Sequence, residues 1–116
     1  MRWIGRVLAV LAVVLSVSPG RAAEPRVIDL TITAGALPSS QRVLRIQQVD
    51  DLVVRWTADA PVTVHLHGYD IELQVGPGAP ARMQFRARAT GRFPITVHGK
   101  PKGQEGTLGY LEVHPR

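Results

Sequence analysis

The sequence has no cysteine in its 116 residues. No disulfide can brace a fold, and no thiolate can serve as a nucleophile, a lipid attachment point or a ligand in a Cys-based zinc site. Aromatic residues are scarce at 5%, and of two methionines one is Met1 and the other Met83. There is no phosphate-binding glycine loop, no HExxH helix and no Ser, His, Asp order of a hydrolytic triad, so no enzyme class finds support in a motif. No internal repeat is visible, and outside the first segment no apolar run approaches the length of a membrane span.

That first segment has the layout of a secretory leader. Arg2 and Arg6 give a basic start, Val7 to Val17 is apolar apart from Ser16, and Ser18-Pro19-Gly20 breaks any helix before Arg21-Ala22-Ala23. Cleavage after Ala22 places the small residue Gly20 two positions earlier, as a signal peptidase requires. The expected organisation is a signal helix over residues 1–22 and one domain over residues 23–116. An uncleaved anchor is the rival, but it needs about 20 apolar residues and Arg6 interrupts this run.

Removing the leader changes the charge balance. Arg2, Arg6 and Arg21 leave with it and all nine acidic residues stay, so eleven basic residues face nine acids and the net charge falls from +5 to +2. A charge that small, spread along the chain, does not make the basic footprint that nucleic acid requires.

From Val27 onward apolar and polar residues alternate with period two between turn residues, which predicts short antiparallel strands. Ile28, Leu30 and Ile32 form one apolar face. Further strands are expected at Arg42 to Ile46, Leu52 to Thr57 and Val62 to Leu66, the last with Thr63, His65 and His67 on its polar side. Ile71 to Val75 reads as a continuation beyond Gly68, and Gly76-Pro77-Gly78-Ala79-Pro80 ends it. Met83, Phe85 and Ala87 then oppose Arg82, Gln84, Arg86 and Arg88; Phe93, Ile95 and Val97 oppose Pro94, Thr96 and His98; a final strand runs near Thr107 to Val113. Six to eight strands without a helix outside the leader predict an all-β sandwich or small barrel.

Residues two apart on a strand point the same way, about 6.6 Å apart along the chain. His65 and His67 can therefore lean toward one ion, and imidazole suits copper, zinc or nickel. The bland reading of the pair is a solvated strand face. His98 lies on the polar side of another strand and joins the pair only if the two strands are neighbours, which chain order leaves open.

Residues 50–72 (DDLVVRWTADAPVTVHLHGYDIE), 77–99 (PGAPARMQFRARATGRFPITVHG) and 106–115 (GTLGYLEVHP) together resemble the cupredoxin pattern over nearly the whole of the expected domain. The resemblance implies a Greek-key β-sandwich and a copper site. It departs from the blue-copper form where it matters most: the family's cysteine position falls on Val97, and no methionine follows to act as axial ligand. His65-Leu66-His67-Gly68 instead resembles the H-x-H-G motif of multicopper oxidases. His98 falls at the second histidine of their G-[TS]-[FY]-x-x-H-x-H motif, with Thr96 replacing the first. In those oxidases such ligands lie between two cupredoxin domains, whereas this chain carries one.

The reading implied is an exported, periplasmic, cupredoxin-like protein holding copper at a non-blue, all-histidine site of His65, His67 and His98. Metal storage, delivery or an accessory role suits such a site better than rapid electron transfer. The alternative is a metal-free module of the same fold acting through a periplasmic protein partner. His114 is read as a tail residue, Asp70 and Glu72 as acids able to orient a ligand from behind, Asp50-Asp51 as a turn, and the Arg82, Arg86, Arg88 stripe as a wet face or a contact for an anionic partner. Cleavage as expected yields an exported chain beginning at Ala23, which N-terminal sequencing of periplasmic protein checks.

Overall fold

The computed structural model describes residues 5, 9–16, 24–99 and 106–116. The expected signal helix therefore lies largely outside the described residues, and residues 9–16 carry no helix or strand. Among the described residues, no helix is long and apolar enough to cross a membrane.

Eight strands follow in order: β1 Arg26–Ile32, β2 Val43–Gln47, β3 Asp51–Ala58, β4 Val62–Leu66, β5 Ile71–Val75, β6 Ala81–Arg86, β7 Gly91–Gly99 and β8 Gly106–His114. One short 3₁₀ turn, Ser39–Gln41, lies between β1 and β2. The strands form two sheets, one ordered β1-β3-β6 and the other β2-β8-β7-β4-β5. The architecture is the expected all-β sandwich.

Two features differ from the sequence reading, and one cause covers both. The strands are not all antiparallel, because β1 pairs with β3 and β2 with β8 in parallel. The chain reverses at each connection, so odd-numbered strands run one way and even-numbered strands the other. Any odd-odd or even-even pair brought together in a sheet must be parallel. Ile71 to Val75 is likewise a separate strand, paired antiparallel with β4 from Leu66↔Ile71 to Val62↔Val75. The reversal is made at residues 67–70, where Gly68 has φ 84° and Asp70 has φ 53°.

Period-two patterning produces the core directly. Leu30, Ile32, Val54, Trp56, Val64, Leu66, Met83, Ile95, Val97 and Leu111 are all at most 3% exposed and belong to one cluster. Burying each aliphatic side chain of this size contributes about 1.5–3 kcal/mol against the entropy of ordering the chain. Without a disulfide, this burial carries most of the bracing of the fold. At the centre a cavity of ≈ 10 Å³ lies among Leu44, Trp56, Leu66, Met83, Ile95 and Leu111, which is room for about one water and no ligand. Within the five-stranded sheet, the chain entering β2 runs so close to Gly109 of β8 that an added Cβ would meet the Arg42 carbonyl. The edge strands are also tied, with Arg26 Nη1 donating to the Arg45 carbonyl at 3.0 Å.

The outer face of the three-stranded sheet is charged and largely paired. Arg55 donates to Asp29 through Nε at 2.6 Å and Nη2 at 2.8 Å, and Arg86 to Asp51 at 2.8 and 3.2 Å. Each arginine sits directly across the ladder from its aspartate. Arg86 of the arginine stripe is thus an internal partner. The arginine hydrogen bonds hold both carboxyls below the ordinary 3.8, against a smaller opposing effect of desolvation. With the folded values lower than the unfolded ones, this stabilisation is complete above about pH 4 and is lost as pH falls through the depressed values. Thermal melts followed by circular dichroism should show stability declining below about pH 4, and an Asp29→Asn, Asp51→Asn double variant should show a shallower decline from a lower starting point.

Candidate metal centre

The histidines lie on the outer face of the five-stranded sheet. Val62, Val64 and Leu66 of β4 turn into the core, so Thr63 and His65 must turn outward, and on β7 Ile95 and Val97 turn in while Thr96 and His98 turn out. The β4–β7 ladder sets His65 opposite Thr96 and Thr63 opposite His98. The strands that carry the three expected ligands are therefore neighbours, and all three residues share one face.

They are not equally close. His65 and His67 have ring centroids 4.1 Å apart, tilted by 46°. His67 lies just past the end of β4, where its backbone N–H donates to the Pro94 carbonyl at 3.0 Å. Its ring Nε2 lies 2.9 Å from the Thr96 hydroxyl. His98 is the diagonal neighbour of His65 on the side away from His67, and it is exposed. His67 and the register partner of His98 are four residues apart, about 13 Å along an extended strand. Among the described residues no three His, Cys, Asp or Glu side chains already stand in the arrangement of a metal site.

His65 has an unusual nitrogen. Its side chain is 21% exposed, yet its Nε2 is shut off from solvent and has no hydrogen-bond partner. The nearest charged atom is Asp70 Oδ1, at 3.6 Å. A polar atom left in this state is costly unless a proton acceptor or a cation satisfies it. An ion with affinity for imidazole is one kind of partner that would satisfy such an atom.

The turn that carries the pair is held from below by aromatic packing. Tyr69 packs at a tilt against Phe85 and edge-on against Phe93, each with ring centroids 5.1 Å away. Its hydroxyl donates to the Ala89 carbonyl at 2.9 Å and accepts from the Ala89 N–H at 3.2 Å. Half of the chain's six aromatic residues are thus concentrated under one turn. The sequence reading continued the strand past Gly68 and missed Tyr69, whose partners are 16 to 24 residues away along the chain.

The other residues considered lie elsewhere or make other contacts. His114 ends β8 with Nε2 3.3 Å from Glu112, away from the pair. Glu72 lies across β5 from His65 and forms no ion pair among the described residues. Asp50 and Asp51 are engaged by Arg116 and Arg86 respectively, at 2.6 and 2.8 Å. Val97, at the position of the family's cysteine, is 1% exposed and points into the core.

Gly68 is required twice over, by its positive φ and because an added Cβ would strike the Phe93 ring. Gly68→Ala should cost about 1–3 kcal/mol in urea denaturation and should alter the His67 ring signals in NMR, since the turn must shift to admit the methyl group.

No family model matches the chain, and no curated protein matches it in sequence. Solved structures do match. A chain of a heme-copper terminal oxidase dimer superposes with a TM-score of 0.64 at 15% identity, over 87% of this chain and 76% of that one. The periplasmic domain of subunit II of cytochrome oxidase from Bradyrhizobium japonicum gives 0.61 at 12% identity, over 78% and 84%. A multicopper oxidase gives 0.59 at 19% identity over 80% of this chain, which spans 40% of that oxidase's length. At such identities the likeness speaks for the fold, and with the sheet order and register above it gives one conclusion: the chain is a cupredoxin-like β-sandwich that lacks the cysteine and methionine of a blue-copper site.

Proposed function

We propose that the protein is an exported, periplasmic copper-binding protein whose metal is held by the imidazoles of His65 and His67, with His98 standing apart from the pair on the same face. The observation that carries this reading is the unsatisfied, solvent-shielded Nε2 of His65 beside a second imidazole 4.1 Å away. Support also comes from the neighbours in fold, which include structures described as multicopper oxidases and a blue copper protein.

The chemistry of the site follows from what the chain supplies. Copper, when bound, brings Lewis acidity and one-electron redox capacity; the protein contributes neutral nitrogen donors and leaves coordination positions open. Without a thiolate, the pair lacks the strongly covalent ligand on which a blue-copper electron carrier depends. Thr96 holds His67 in place through Nε2, so that His67's other ring nitrogen is the one free to bind. An outward-facing, partly filled coordination sphere suits receiving and passing on a metal ion.

The competing reading keeps the sandwich and dispenses with metal. Protein contacts would then be the function, and the absence of a ready-made group of three ligands among the described residues favours it. The two readings separate cleanly in one experiment. Periplasmic protein should contain one copper per chain on elemental analysis and give a non-blue axial EPR signal with nitrogen couplings, and a His65→Ala, His67→Ala double variant should lose both. Undiminished loading in that variant overturns the proposal.

A further inference from the structure

Each of the two sheets has two edge strands, and the edge at β1 presents a run of open backbone groups. We propose that β1 pairs antiparallel with β1 of a second copy, joining two three-stranded sheets into one sheet in the order β6-β3-β1-β1-β3-β6. The inference does not depend on the copper-binding reading, since the histidines lie on the other sheet.

The direction of the backbone groups follows from the hydrogen bonds at the end of β1. In a parallel ladder one residue turns its N–H and C=O toward the same neighbour, and the next residue turns both away. The Asp59 N–H donates to the Ile32 carbonyl at 3.1 Å and Ile32 pairs with Ala58, so the even-numbered residues of β1 face β3. The odd-numbered ones face outward. Thr33 fits this alternation, because it exchanges bonds of 2.9 and 3.1 Å with Ala36 in an antiparallel bridge. The chain thus pairs once with this edge itself. Before that bridge, Val27, Asp29 and Thr31 direct their N–H and C=O groups outward, and no backbone bond among the described residues uses them.

A second copy fits the edge by symmetry. A twofold axis at Asp29 sets Val27 opposite the partner's Thr31 and Asp29 opposite the partner's Asp29, and each such pair exchanges two hydrogen bonds. Val27 is 54% exposed, and only Val49 is comparably exposed among the large apolar side chains of residues 24–99 and 106–116. Pairing gives it a β-branched neighbour across the strand. The two aspartates at the axis are each held by Arg55 of their own copy at 2.6 and 2.8 Å, so the charges there cancel. The pairing is also bounded, because Pro25 has no N–H and Ala36 already occupies Thr33.

The other edges suit self-pairing less well. On β2 the Arg45 carbonyl is taken by Arg26 Nη1 at 3.0 Å. On β6 the Ala87 N–H donates to the Asp50 carbonyl, so Arg82, Gln84 and Arg86 turn their backbone groups outward. The same twofold pairing there would set Arg82 against the partner's Arg86, and like charges across an edge oppose association. On β5 the outward residues are Glu72 and Gln74, one fewer than on β1.

A contact of one short strand per copy falls below the roughly 800 Å² per partner of a standard interface, so the association is weak and depends on concentration. The test is sedimentation and NMR hydrogen exchange of protein purified from the periplasm, run from micromolar to millimolar concentration. Expected is a weak dimer, with protection of the Val27, Asp29 and Thr31 amides rising as it forms, while Ile28 and Leu30, bonded to β3, are protected throughout. Val27→Pro removes a donor that the monomer leaves open, near the start of an edge strand where proline is tolerated. The twofold axis doubles the loss, so association should weaken roughly tenfold or more while the melt of dilute protein is unchanged. A monomer at every concentration overturns the proposal, as does a dimer in which these three amides stay unprotected or which Val27→Pro leaves as tight. Protection that appears only when another protein is added assigns the edge to a different partner and overturns self-pairing. Should Val27→Pro fail to fold, the exchange pattern of the unsubstituted protein decides alone.

Discussion

The register of the β4–β7 ladder is the constraint on which the remaining features depend. It sets Val64 against Val97 inside the sandwich and His65 against Thr96 outside it. A slip of one residue on either strand would turn imidazoles into the core and valines to the surface, at a cost no small domain tolerates. The burial that stabilises the fold is thus also what presents the histidines. Core and candidate site are two faces of the same alternation.

Lack of a disulfide places weight on that burial and on local devices at the turns. The β4–β5 turn combines two left-handed residues with Tyr69, whose ring packs on Phe85 and Phe93 and whose hydroxyl satisfies both backbone groups of Ala89. A turn with a non-glycine residue at positive φ, such as Asp70, gains from surroundings that hold it. Here the aromatic side chains hold it, and the consequence is that Asp70 and His67 are placed by packing beneath the sheet face.

The two sheets also divide the chemistry between them. On the outer face of the three-stranded sheet, arginines and aspartates satisfy one another across the ladder. On the outer face of the five-stranded sheet, the central residues are histidine and threonine, with an imidazole nitrogen that nothing satisfies. Charge that is internally matched serves the fold, while an unmatched nitrogen remains available to a ligand. This contrast separates the arginine stripe from the histidine pair, though both began as polar sides of alternating strands.

Much was legible in the order of residues alone. Alternation at Ile28 to Ile32, Val62 to Leu66 and Phe93 to Val97 identified strands and their inward faces, because side-chain direction on a strand has period two whatever the neighbours are. The same rule put His65 and His67 on one face, and the missing cysteine ruled out a thiolate site. Pairing was another matter. That β1 and β3 run parallel, that Ile71 to Val75 turns back beside β4, and that His98 stands diagonal to His65 while Asp70 returns to 3.6 Å from it all depend on which strands lie side by side and in what register. Those choices are made by the burial of the whole chain at once, which no local pattern encodes, so the sequence determined the donors available and tertiary structure decided which of them meet.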